Sequence, residues 1–192
     1  MPHNPRKPAF TLVELLVVIG VIALLISILL PVLTKAKEAS NRTACRAHLH
    51  DIGSQFQMYL SESKNKLPWV NTMPSLQPPL NVYPSIVTVL QPYHKGAVKV
   101  FRCDSDVIKA YAAGAPAGFT TYYEREGSSY QYSTRLSPGY SGQHLADLSL
   151  AQNGNWQLIV IMNDFEPFHG PAGTLGAMNC LFADNHVGDP AE

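Results

Sequence analysis

The sequence predicts an α+β protein in which a long N-terminal helix packs on a small antiparallel sheet. Three observations predict this fold. A strongly apolar run extends from Leu15 to Leu33. A helical repeat of apolar residues follows it and fades near Ser61. The remainder of the chain carries short apolar segments between turn-forming residues, the pattern of a small sheet.

The apolar run has the length of a membrane span. It contains only Gly20, Ser27 and Pro31 outside the strongly apolar types, and about 20 such residues cross a bilayer core. The run is long for a secretory signal, and no small-residue cleavage site follows it at the usual place. A buried core helix is the alternative, but a small domain rarely uses so long a run. We therefore expect residues 10–33 to form a transmembrane or filament-core helix.

The second segment, residues 34–62, is predicted as an amphipathic stem that continues the same helix. Its apolar residues recur at spacings of four, three, four and three, which places them on one helix face; they are Cys45, Leu49, Ile52, Phe56 and Tyr59. The helix should therefore run from Phe10 to about Ser61 and end before Pro68. A coiled-coil seam is the competing interpretation, but the repeat is shorter than three heptads.

Residues 63–192, which we call the head, are predicted to carry about four antiparallel strands. The predicted strands are Val98–Phe101, Tyr130–Tyr132, Trp156–Met162 and Met178–Phe182, and the segment between Pro68 and Pro92 is predicted as an irregular loop. Ala183–His186 reads as a hairpin turn, because Asp184 and Asn185 tolerate the backbone of a tight turn. Val187 then opens the return strand.

Composition excludes some functions. The 192 residues suit one domain plus an anchor. The 14 basic and 14 acidic side chains give a net charge of zero, whereas a protein that binds nucleic acid by charge has a basic excess. No nucleic-acid partner is predicted. The 15 prolines and 13 glycines indicate a loop-rich head.

Glu14 is the unexpected residue of the apolar helix, because a carboxylate inside a bilayer costs on the order of 3 kcal/mol. The stretch Lys7-Pro-Ala-Phe-Thr-Leu-Val-Glu14 resembles the processing site of type IV prepilins and type II secretion pseudopilins. The resemblance implies a leader at residues 1–9, prepilin-peptidase cleavage between Ala9 and Phe10, and methylation of Phe10. Ala9 stands where the family usually has Gly.

The resemblance also assigns roles within the helix. It implies that Glu14 pairs with the Phe10 ammonium of a neighbouring subunit, so that each charge compensates the burial of the other and the subunit register is fixed. Pro31 falls where pilin helices often bend, and a proline inside a helix removes a backbone hydrogen bond.

Three segments of the stem and head resemble a pseudopilin-like group known best from planctomycete-type families. They are the stretch from Cys45 to Trp69, FRCDSD at residues 101–106, and the stretch from His169 to Gly188. Asp104 replaces a proline of that pattern, and Asn185 replaces the glycine of a "FADGHV" segment. The His169–Asp184 spacing is longer than the common form.

The three cysteines cannot all pair within one chain. Cys45 lies on the apolar stem face and Cys103 follows a predicted strand, so in an exported head a disulfide between them would link helix and sheet. The alternative is that all three are small buried apolar residues, which is the prediction for Cys180.

Metal binding and catalysis have little support. The histidines His94, His144, His169 and His186 are spread out without zinc-ligand spacing. Major pseudopilins of similar fold often bind calcium, which makes four aspartates weak candidates as ligands: Asp104, Asp106, Asp164 and Asp184. Turn capping and hairpin geometry are the preferred roles for these side chains.

No nucleophile elbow or phosphate-binding glycine loop occurs, so we predict a non-enzyme without a cofactor.

Two functions follow as expectations. The first is a structural subunit that prepilin peptidase processes and that assembles through its N-terminal helix with other pilin or pseudopilin subunits. The second is a membrane-anchored module that binds a glycan or other polymer, with Tyr122, Tyr123, Tyr130 and Tyr132 as stacking candidates.

Both functions place a single-pass chain in the bacterial inner membrane. Basic residues follow the apolar run more often than they precede it, which by the positive-inside rule would put the head in the cytoplasm. The family resemblance implies the opposite orientation, with the head in the periplasm or at the cell surface, and we adopt it.

Overall fold

The longest element is helix α1, which spans Leu12–Glu62 without interruption. The computed structural model describes residues 11–73, 83–108, 118–137 and 139–190. The predicted single helix is confirmed within these residues. It ends where Lys64 and Asn65 adopt positive φ angles of 57° and 59°, a left-handed conformation that an α-helix cannot continue through.

The chain divides into two units, Met1–Ala39 and Ser40–Glu192, which we call the N-terminal and C-terminal units. The predicted apolar face of the stem lies in the C-terminal unit. Cys45, Leu49, Ile52 and Phe56 are at most 1% exposed, which confirms the helical periodicity. Tyr59 is only partly buried, and Leu60 is buried in the next turn.

The core of the C-terminal unit lies between this helix face and a four-stranded sheet. The strands are β1 (Tyr130–Tyr132), β2 (Val160–Asp164), β3 (Cys180–Phe182) and β4 (Val187–Gly188). They are all antiparallel and follow one another in chain order across the sheet. The predicted α+β class and an antiparallel sheet of about four strands are confirmed, with Val187–Gly188 as the fourth strand. The core side chains include Leu49, Phe56, Tyr132, Ile161 and Leu181.

The β3–β4 hairpin turns where the sequence predicts. Asn185 has a φ of 70°, a conformation that asparagine tolerates better than most residues, and its N–H donates to the Phe182 carbonyl at 2.9 Å. Gly53 of α1 makes room for this hairpin. A Cβ atom at position 53 would lie 2.7 Å from Leu181 Cδ1 and would collide with the Asn185 side chain.

Three predicted strands are wrong in whole or in part. Val98–Phe101 is a 3₁₀ turn. The N–H groups of Val98, Val100 and Arg102 donate to carbonyls two or three residues earlier, and no described strand pairs with the segment. Trp156–Leu158 is also a 3₁₀ turn, so β2 begins later than predicted. Met178 and Asn179 precede β3 rather than belonging to it.

Short helices occupy parts of the segments expected to be loops. Helix α2 (Ile86–Val89) begins at Ser85, whose hydroxyl accepts from the Thr88 N–H, and α3 (Gln91–His94) has a proline in its first turn. The prediction of an irregular loop up to Pro92 is therefore wrong for these turns. Helices α4 (Tyr122–Glu126) and α5 (Ser149–Gln152) are equally short.

Candidate functional site

The N-terminal unit presents a continuous apolar surface. Every Leu, Ile and Val side chain between Leu12 and Leu33 is at least 49% exposed. Among the described residues, α1 is the one helix long and apolar enough to cross a membrane, and its most apolar 18-residue window is not buried at all. A surface of this size is unstable in water. Its position and composition indicate that the helix anchors the chain in a membrane.

Glu14 closes a capping box at the start of α1. Its Oε2 accepts hydrogen bonds from the Thr11 N–H at 2.8 Å and the Thr11 hydroxyl at 2.7 Å. The Glu14 N–H in turn donates to Thr11 Oγ1 at 3.3 Å. This reciprocal pattern satisfies backbone N–H groups that a helix start leaves unpaired. The Thr-x-x-Glu spacing is visible in the sequence, but our sequence interpretation overlooked it.

The capping box leaves half of the carboxylate available. Both Thr11 contacts use Oε2, and the described residues give Oε1 no partner. The carboxylate can therefore cap its own helix and accept one more hydrogen bond from outside. Ala9 and Phe10, the predicted processing site, lie outside the described residues.

Pro31 does not interrupt α1. The turn that contains it has local side-chain support, since the Thr34 hydroxyl donates to the Pro31 carbonyl at 3.0 Å. One turn earlier, the Ser27 hydroxyl donates to the Leu24 carbonyl at 2.7 Å. Hydroxyls that bond back to the helix in this way often accompany a bend. The bend at Pro31 stays a prediction.

In the C-terminal unit, Cys45 of α1 and Cys103 form a disulfide with their Cα atoms 5.2 Å apart. This is the pair for which the sequence left a disulfide and separate buried thiols as alternatives. Both cysteines are at most 1% exposed. Cys103 follows the 3₁₀ turn at Val98–Phe101, so the bond joins the helix to a loop that packs beside the sheet rather than to a strand.

A buried imidazole and carboxylate lie next to the disulfide. His169 Nε2 is 3.4 Å from Cys103 Sγ and 3.7 Å from Asp164 Oδ2. Asp164 Oδ2 also accepts from the Asn179 N–H at 2.7 Å and the Asn179 amide at 3.0 Å. Burial raises the pKa of the Asp164 carboxyl to about 7, although the Asn179 hydrogen bonds oppose that rise.

The four aspartates suggested as calcium ligands occupy separate environments. Asp106 accepts from the N–H groups of Tyr122 and Tyr123 and from the Ser129 hydroxyl, which fixes the start of α4. Asp104 pairs with Arg102 at 3.7 Å and Asp184 with His186 at 2.5 Å. Within the described residues, the structure does not gather these carboxylates around one point.

The aromatic residues suggested for glycan stacking belong mainly to the core. Tyr122, Tyr130 and Tyr132 are fully buried, and Tyr123 is partly buried. Tyr130 and Tyr132 point into the core from β1, and the Tyr122 hydroxyl donates to Glu166. Sugar stacking requires an exposed ring face, so the three buried rings cannot serve in it.

The free thiol is not an activated nucleophile. Cys180 in β3 is buried, and burial, followed by the charges of Asp164 and Asp189, raises its thiol pKa to about 12. Nucleophilic cysteines have lowered pKa values, because the thiolate is the reactive form. Cys180 is therefore a buried apolar residue, as predicted.

Comparison with known proteins gives one family match. Residues 4–30 match the family described as the prokaryotic N-terminal methylation motif. The match covers Ala9, Phe10 and Glu14, and 27 of the 192 residues in all. It supports a pilin-like protein that a prepilin peptidase processes, and it gives no support for an enzyme. No curated protein and no solved structure matched the chain.

Proposed function

We propose that this chain is a structural subunit of a type II secretion pseudopilus or a type IV pilus-like filament. Prepilin peptidase cleaves it between Ala9 and Phe10, Phe10 is methylated, and the N-terminal helices of neighbouring subunits pack together. The observation that carries the proposal is the methylation motif at residues 4–30, together with the exposed Leu, Ile and Val side chains of α1 between Leu12 and Leu33.

Glu14 has the geometry for a contact between subunits. Its Oε2 accepts from Thr11, and its Oε1 has no hydrogen-bond partner among the described residues. The ammonium group that cleavage would create at Phe10 is a charge of opposite sign for that oxygen. A buried carboxylate is stable only when it is paired, so pairing would favour one register of adjacent helices.

The disulfide supports an exported C-terminal unit. Disulfides persist in the periplasm and at the cell surface but are rare in a reducing cytoplasm. We therefore place the C-terminal unit outside the cytoplasm and the apolar helix in the inner membrane before assembly. The module that binds a glycan has no comparable support, because three of its four stacking candidates are core residues.

The decisive substitution is Glu14→Gln, tested in cells that have an active prepilin peptidase. Glutamine can still form the capping box with Thr11, so the helix start is preserved while the charge is lost. We expect normal cleavage and loss of filaments, measured by the mass of the N-terminus and by filament recovery after shearing. Glu38→Gln is the matched control, because it makes the same change in α1 outside the matched motif.

Two outcomes would contradict the proposal. A wild-type protein that keeps Met1 would show that Ala9 is not a cleavage site. Filaments formed equally well by the Glu14→Gln variant would show that the Glu14 charge does not set the register.

A further inference from the structure

A cavity of about 630 Å³ lies in the C-terminal unit between the sheet and the segments that follow β1. Sites for small molecules usually have volumes of about 300–1,000 Å³. The sheet contributes Val160, Asn163 and Cys180, and the segments after β1 contribute leucines and a single arginine. The apolar N-terminal helix takes no part in this cavity, so an activity here would be separate from filament assembly.

A β-bulge forms the sheet side of the cavity. In the β2–β3 pairing, Val160 faces Phe182 and Met162 faces Leu181, so β2 contains one extra residue between them. Side chains of a regular strand alternate between the two faces, and the extra residue shifts that alternation. As a result Val160 and Asn163, three positions apart, both line the cavity, together with Cys180, the partner of Asn163.

The opposite wall is apolar and incompletely covered. Leu136 and Leu148 are buried at its base. Tyr140, Leu150 and Leu158 remain 43%, 37% and 55% exposed at the same cavity. Removing apolar surface from water contributes roughly 25 cal/mol per Å², so a ligand with an apolar body gains by covering these three side chains.

The charge of the lining selects an anion. Arg135 is the one charged residue among the described residues that line the cavity. Its side chain is exposed, and no carboxylate of the described lining competes for it. A guanidinium binds a carboxylate through two parallel hydrogen bonds.

The geometry points to a binding site for a small carboxylate that carries an apolar body. The body lies against Leu136, Leu148 and Leu158, and Arg135 binds the carboxylate at the mouth. Binding is noncovalent, because Cys180 in the lining is a buried thiol and not an activated nucleophile. A function of this kind goes beyond assembly and gives the C-terminal unit a ligand of its own.

The test uses the full chain in lipid nanodiscs, with labelled methyl groups observed by NMR. Phenylbutyrate, phenylbutanol and phenylbutylamine have the same apolar body and differ in charge. We expect shifts at the methyl groups of Leu148, Ile159 and Met178, which line the cavity. Phenylbutyrate should bind about tenfold more tightly than phenylbutanol, the factor that a charge-assisted contact of about 1.4 kcal/mol gives, and phenylbutylamine should bind most weakly.

Arg135→Gln should lower the affinity for phenylbutyrate about tenfold and leave that for phenylbutanol unchanged. Arg102→Gln is the matched control, because Arg102 is an exposed arginine of the same unit that does not line the cavity. Equal affinities of the three probes for the wild type would overturn the proposal. So would shifts confined to methyl groups away from the cavity, or an equal loss of affinity in both arginine variants.

Discussion

The two halves of helix α1 contain similar apolar residues with opposite surroundings. Leu24 is 62% exposed in the N-terminal unit, whereas Leu49 in the C-terminal unit has no exposed surface. Leu49 is covered by the sheet and loops of its own chain, whereas the described residues leave most of the Leu24 side chain uncovered. The difference indicates that the partner of the first half lies outside the chain, in lipid or in other subunits, while the second half is part of a conventional core.

The largest expected effect is a difference in stability between two variants, each with one leucine of α1 replaced by alanine. Leu49→Ala removes a fully buried side chain and should lower the free energy of unfolding of the C-terminal unit by about 2–5 kcal/mol. Leu24→Ala should change it by less than about 0.5 kcal/mol, because that side chain is mostly exposed and lies outside the C-terminal unit. Trp69 and Trp156 both belong to the C-terminal unit, so tryptophan fluorescence during urea unfolding in detergent micelles measures it directly.

An equal loss of stability in the two leucine variants would contradict the comparison. The loss of filaments should follow the reverse order, with the larger loss in Leu24→Ala. Leu24→Ala removes a contact that only assembly can provide, and Leu49→Ala leaves the assembly surface unchanged as long as the C-terminal unit stays folded.

The disulfide is the next largest contribution, and it acts only on the C-terminal unit. It joins residues 58 positions apart, and a cross-link of that span contributes about 4 kcal/mol by restricting the unfolded chain. The Cys45→Ala/Cys103→Ala double variant should lose about that amount in urea unfolding. Cys180→Ala is the control, since it removes a buried thiol that forms no cross-link. Equal stabilities with and without reductant in the wild type would show that the bond does not form.

The elements that could be predicted from the sequence are those that local patterns determine. The spacing of Cys45, Leu49, Ile52 and Phe56 specifies a helix face, and Asn185 specifies a hairpin turn, because each depends on a few neighbouring residues. Val98–Phe101 alternates like a strand, yet whether four residues join a sheet depends on a distant partner. The sequence cannot supply that partner.

The same limit applies to the sites. The methylation motif and its Glu14 are local patterns that can be read from the sequence. The Thr-x-x-Glu spacing of the capping box is just as local, although it was not among the predictions. The cavity could not be predicted, because it needs a bulge in β2 and leucines from several loops that only the tertiary fold brings together. The contact between His169 and Asp164 likewise depends on where the segment after β2 folds back, which no local pattern in the sequence specifies.

Asp164 gives the C-terminal unit a pH dependence that the N-terminal unit does not share. Its carboxyl pKa rises from 3.8 to about 7 on folding, chiefly through burial, so the folded state holds a proton that the unfolded state releases. Stability should therefore be fully present below about pH 4, fall as the pH rises toward 7 and then level off, by at most about 1.4 kcal/mol per pH unit. Asp164→Asn should flatten this fall in urea unfolding measured from pH 4 to 8. A wild-type stability that increases over that interval would show that His169 holds the carboxyl ionised.

The smallest expected effect belongs to the N-terminal unit and concerns the capping box. Thr11→Val removes the hydroxyl that accepts from the Glu14 N–H and should cost about 1 kcal/mol at the start of α1. Because the first turn shares no core with the C-terminal unit, urea unfolding of that unit should not change. Amide hydrogen exchange at Glu14 and Leu15 should accelerate about fivefold, the factor that about 1 kcal/mol gives.

Thr34→Val is the matched control for the cap, because the Thr34 hydroxyl donates to a carbonyl in the middle of the helix and caps nothing. Unchanged exchange at Glu14 in the Thr11→Val variant would mean that the Thr11 hydroxyl does not protect the Glu14 N–H in the membrane. The same measurement on the processed chain shows whether the cap survives cleavage. If the cap persists after cleavage, Oε2 of Glu14 stays bound to Thr11 and Oε1 is the oxygen that contacts the neighbouring subunit. The capping geometry favours this arrangement.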